Sequence, residues 1–95
     1  MSDRETILEK LRAVHDFPGK FLFKAIGPNT EAFIAQVVQS VINVAGPHSA
    51  PNIDTRVSAH GNHVSVTVTD TMESADKVLE VYALLQGIEG VTHVL

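Results

Sequence analysis

Between Lys20 and Ile42 the spacing of apolar residues changes once, and that change constrains the fold more than anything else in the chain. Phe21, Phe23 and Ala25 alternate with Lys20, Leu22, Lys24 and Ile26. That is the period of a strand with one buried face. Phe33, Ile34, Val37, Val38, Val41 and Ile42 then recur at i, i+1, i+4, i+5, i+8 and i+9, the stripe of a helix packed on a sheet. Gly27, Pro28 and Asn29 sit at the switch: Gly27 permits a sharp exit, Pro28 ends the ladder, and Asn29 is expected to cap the helix. Gly46-Pro47 closes the helix and residues 48–52 form a loop.

A strand and a helix that each show one apolar side need further partners, and the rest of the chain supplies them. Ile53–His60 and His63–Asp70 alternate with period two around Gly61-Asn62, which predicts a two-residue hairpin. In that register Ala59 pairs with Val64, Val57 with Val66 and Thr55 with Val68 on the inner face. Ser58–Ser65, Arg56–Thr67 and Asp54–Thr69 pair on the outer face. Asp70-Thr71-Met72-Glu73 carries a capping pattern, and Val78, Val81, Tyr82 and Leu85 mark a helix that ends near Gly87. Val91–Leu95 reads as a short last strand, with the phase of His93 open. Ahead of all this, Ser2-Asp3-Arg4-Glu5 matches a capping box, and Ile7, Leu8, Leu11 and Val14 predict a short amphipathic helix that docks by its stripe. His15 follows that helix, and Asp16-Phe17-Pro18-Gly19 breaks it.

The order is a helix followed by β-α-β-β-α-β. Right-handed crossovers then place the first and third strands at the centre and both later helices on one face. The expected fold is an α+β, ferredoxin-like two-layer sandwich with a four-stranded antiparallel sheet. Residues 1–95 read as a single domain, with 1–16 as an N-terminal helical extension. The helix-free face would carry Lys20, Leu22, Lys24, Asp54, Arg56, Ser58, Ser65, Thr67 and Thr69.

Composition narrows the function classes. Among 95 residues, 44% are hydrophobic and 19% charged, and none is cysteine, a globular profile without disulfides or thiolate chemistry. A net charge of −4 with no basic cluster argues against nucleic acid as a partner, which rests on neutralising phosphates. The central strands also offer the open face no aromatic ring on which RNA bases could stack. No apolar run approaches the ~20 residues that cross a membrane, so a cytoplasmic protein without a membrane partner is expected. Ser58, Ser65 and Asp54 form no nucleophile-and-base set, so no enzyme activity is expected. His60 and His63 would flank the hairpin turn with Cβ atoms about 5 Å apart. Two ligands fall short of the three or four a metal site uses, so neither metal nor cofactor is expected. A partly apolar, Ser- and Thr-rich sheet face suits homodimerisation face to face or edge to edge.

Several short motifs, in order, resemble the YbeD-like family of small bacterial proteins. They are Phe17-Pro18 with Phe21, Phe23-Lys24 and Ile26-Gly27; Ser58, Gly61 and Ser65-Val66-Thr67-Val68; and Tyr82 with Leu84-Leu85. The resemblance covers residues 17–95 and departs at His63-Val64, where that family's hairpin usually carries a tyrosine. It implies a ferredoxin-like fold similar to the ACT-type domains that sense amino acids, hence a small regulator responding to a small-molecule effector. By that analogy the strand-to-helix turn of Gly27, Pro28, Asn29 and Thr30 would line the effector site, with the first helical N–H groups facing a carboxylate. The alternative is an adaptor that binds a partner protein through its sheet face or edge strand, without a ligand.

Overall fold

The structure is a computed structural model that describes residues 3–95. Its elements are α1 (Asp3–Val14), β1 (Gly19–Pro28), α2 (Glu31–Ala45), β2 (Asn52–Val57), β3 (His63–Met72), α3 (Ala75–Gln86) and β4 (His93–Val94). The four strands form one antiparallel sheet in the order β2-β3-β1-β4. This is the ferredoxin-like arrangement expected from the sequence, with β1 and β3 central.

The core lies on one side of the sheet. Phe23 and Ala25 of β1 and Val64, Val66, Val68 and Met72 of β3 meet Phe33, Val37 and Val41 of α2 and Val78, Val81 and Leu85 of α3. The period-two and helical spacings of the sequence produce this directly, since each element turns one apolar row inward. The N-terminal helix docks on α3: Leu8 is buried, Leu11 packs against the core, and Arg4 and Arg12 reach Asp76 at 3.3 and 3.4 Å. The expected Ser2 cap lies outside the described residues.

Four local expectations are corrected. The hairpin register is displaced by two residues, so that Val57 pairs with Val64, Thr55 with Val66 and Arg56 with Ser65. Its loop is longer because Ser58 closes it. The Ser58 N–H donates to the His63 carbonyl and the Gly61 N–H to the Ser58 carbonyl, both at 2.9 Å, while the Ser58 hydroxyl accepts from the His63 N–H at 3.2 Å. Gly61 takes the positive φ of 77° that this four-residue turn needs. A shift of two preserves side-chain parity, so the faces stay as expected although the partners change.

Pro28 remains within the ladder opposite His63. Its ring nitrogen points away from β3, so no hydrogen bond is lost there. Thr30, not Asn29, caps α2, its hydroxyl accepting from the Phe33 N–H at 3.1 Å. Asp70, Thr71 and Met72 complete β3, and Ser74 caps α3 instead.

The Gly27 position is set by packing. A Cβ built on it would lie 2.5 Å from Cζ of the Phe33 ring, at the heart of the α2–sheet contact. Gly27→Ala is therefore expected to lose about 1–3 kcal/mol in urea unfolding. With Phe33→Leu already in place, the added loss should be smaller. A neutral Gly27→Ala would contradict the contact.

Candidate functional site

Gly27, Pro28, Asn29 and Thr30 are brought together at the strand-to-helix turn, but their groups have local occupants. Phe33 fills the space beside Gly27. The Thr30 N–H donates to the Pro28 carbonyl at 2.8 Å, and the Asn29 N–H and side-chain amide donate to the Asn62 and Gly61 carbonyls, each at 3.1 Å. Asn29 thereby ties this turn to the β2–β3 loop.

The histidines are dispersed. His60 sits within that loop and His63 on β3, no longer across a two-residue turn. His93 lies opposite Ile26 on the helix-free face, and Val94 points inward beside Ala25. Among the described residues no group of three or more His, Asp or Glu could hold a metal ion.

One acidic residue sits where the strand period calls for a core side chain. Asp70 follows Val64, Val66 and Val68 on the inner row and is 4% exposed. It accepts from the Ser49 hydroxyl, from the Ala50 N–H at 3.3 Å and from its neighbour's Thr71 N–H at 2.8 Å. The carboxylate fastens the α2–β2 loop to the sheet. A lone acid on an apolar row was the sequence signal for it.

Around β1 the aromatic rings form a chain from the end of α1 into the core. His15 stands 4.8 Å from Phe21, Phe21 5.0 Å from Phe23, and Phe23 meets Tyr82 edge-on at 5.4 Å. These rings pack the sheet against α1 and α3. Burial pushes the Tyr82 phenol above its ordinary value.

The helix-free face of the sheet is left uncovered by any helix. The strand registers set Asp54, Thr67, Lys24 and Leu95 in one row and Arg56, Ser65, Ile26 and His93 in the next, with Leu22 beside Thr69. Leu22 is 55% exposed and Leu95 61%. Ile26 belongs to this face as its alternation with Ala25 requires, and Leu95 joins it although the sequence pattern did not single it out, because a two-residue β4 is too short for its phase to be read. Where β2 enters its loop, Ile26, Arg56, Ser58, His63 and Ser65 border a shallow depression of about 460 Å³.

The charge on this face is opposite in sign to that of the chain. Of seven Lys and Arg, three (Lys20, Lys24 and Arg56) lie on its strands, against Asp54 alone of eleven Asp and Glu. Among the described residues none of these four is held in an ion pair. The result is an apolar strip with a basic border. No helix of the described residues is long and apolar enough to cross a membrane.

Comparison with known proteins places the chain among relatives of the same size. The family described as "Protein of unknown function (DUF493)" matches residues 12–95, so most of α1 precedes the match. A UPF0250 protein of Shewanella putrefaciens (strain CN-32) is 37% identical over 86 residues, covering 90% of this chain and 96% of the relative. A UPF0250 protein of Shewanella sp. (strain ANA-3) is 36% identical over the same coverage. A third, of Shewanella amazonensis, is 36% identical over 80 residues, covering 84% of this chain and 89% of its own. These matches accord with the YbeD-like resemblance of residues 17–95.

The single tyrosine of the chain makes its burial directly measurable. Absorbance titration should place phenolate formation by Tyr82 above the ordinary value of about 10, and unfolding in urea should return it there. Because the unfolded chain loses that proton first, stability is full below the ordinary value and falls as pH rises through the native one. A native midpoint at or below about 10 would contradict this packing.

Proposed function

The chain belongs to the DUF493 family of proteins of unknown function, and from that premise we propose that it is a small, non-catalytic regulatory domain that binds another protein across the open face of its sheet. One observation carries the reading. Leu22 and Leu95, both exposed, and the half-buried Ile26 form an apolar strip interleaved with Lys20, Lys24 and Arg56, none of them in an ion pair among the described residues, on a chain whose net charge is −4. An apolar centre with a charged rim is the anatomy of a protein interface. The sign of the rim selects an acidic partner with apolar anchors. A second copy set face to face would oppose like charges, so the occupant of this face is a different protein. A cysteine-free chain with no membrane-crossing helix among its described residues suits a cytoplasmic setting.

The effector-sensing role of ACT-type domains uses the same architecture but needs room at the turn from Gly27 to Thr30. There Phe33 and the hydrogen bonds of Asn29 and Thr30 leave little space. The geometry therefore favours the adaptor over the metabolite sensor.

Affinity capture with quantified binding of the recovered partner tests the reading. Leu22→Glu and Lys24→Glu should each weaken binding by roughly tenfold or more, as expected at a central contact. Both should leave the melting temperature near that of the wild type, and binding should weaken with added salt. Unchanged affinity in both variants would refute the face as the binding surface. A metabolite that raised the melting temperature by binding the native state would favour the sensor instead.

A further inference from the structure

We propose that β2 is a self-complementary edge through which two copies of this chain pair antiparallel about Thr55, joining their sheets into one of eight strands from two of four. The proposal shares only Arg56 with the partner-binding face, since it rests on the strand edge rather than on Leu22 and Lys24.

All six residues of β2 are exposed, because α2 lies over β3 and neither helix extends across the edge. Ile53 and Val57, on the helix side of the sheet, are 46% and 50% exposed. An edge strand of this length and character is a ready template for another strand, and here neither proline nor a bulge blunts it.

The backbone phase is fixed by the hairpin closure. The Ser58 N–H donates to the His63 carbonyl at 2.9 Å, so hydrogen-bonded pairs with β3 alternate back along the strand through Arg56 and Asp54. The N–H and C=O groups of Ile53, Thr55 and Val57 consequently point away from β3, into the open edge. A second strand centred on Thr55 meets all three. Thr55 exchanges hydrogen bonds with Thr55 of the other copy, and Ile53 exchanges them with Val57 on each side of the axis.

Side chains select that register. Centred on Thr55, Asp54 lies opposite Arg56 twice on the open face, and Ile53 lies opposite Val57 twice on the helix face. Every cross-strand pair is then favourable. A slip of one pairing step sets Asp54 against Asp54 or Arg56 against Arg56, and a slip of half a step turns one copy's face over. Within one copy neither Asp54 nor Arg56 is held in an ion pair among the described residues. The two-fold axis supplies each with its counter-charge, and the isologous contact closes at two copies.

Sedimentation equilibrium on the full chain is the test. The wild type should show a concentration-dependent monomer–dimer equilibrium. Thr55→Pro removes an outward N–H without touching the β3 ladder, so it should leave a folded monomer. Asp54→Arg and Arg56→Asp should each raise the dimer Kd by about tenfold, since each change sets like charges opposite one another twice. The combined exchange, Asp54→Arg with Arg56→Asp, should return it to within about threefold of the wild type. A wild type that stays monomeric to about 0.5 mM, a dimer indifferent to Thr55→Pro, or single charge variants that the exchange does not rescue would each overturn the proposal.

Discussion

The ladder between β1 and β3 is the constraint on which the rest depends. Ten residues of each strand pair from Gly19 opposite Met72 to Pro28 opposite His63. Its inner row runs through Phe23, Ala25, Val64, Val66 and Val68, all buried. Both helices cover this row, and both edge strands hang from its flanks. In a chain of this size that row and the helix residues packed on it make up the core, so the large-to-small changes that matter most fall here.

The placement of the helices over that ladder decides which surfaces remain. With α2 over β3, and α3 over β3 and β4, the layer ends before β2. That leaves two unlike surfaces. The helix-free face is an apolar strip bordered by basic residues. The outer edge of β2 is a row of free backbone groups with one acid and one base in symmetric positions. On the readings proposed above, the first repels a second copy of itself and takes a different protein, and the second is its own complement. The proposed partner surface and the proposed dimer edge would thus share no side chain but Arg56.

The sequence made the element order, the faces and the two-layer class legible because these follow from apolar period alone. Phe23, Phe33, Val37 and Val66 are buried where the spacing put them. Hairpin register was less legible, because period two fixes which face a residue occupies but not which neighbour it meets. The hydroxyl of Ser58 settled that. Caps failed for a related reason: Asn29 and Asp70 are both good caps in isolation, yet tertiary contacts with the Gly61 carbonyl and the Ser49 hydroxyl claimed their side chains. Val57 was expected under cover and is half exposed, because residue alternation reports the side of a sheet and not whether a helix reaches it. The candidate turn at Gly27 showed the same ambiguity, since a glycine needed for close approach reads alike whether a ligand or Phe33 comes near.

Residue-resolved amide hydrogen exchange tests the central ladder most directly. The N–H groups of Phe23, Ala25, Val66 and Val68 bridge β1 and β3 beneath the helices. They should exchange only through global unfolding, at the free energy given by urea denaturation. Exchange of these four amides through local opening, at a free energy well below that value, would contradict the account.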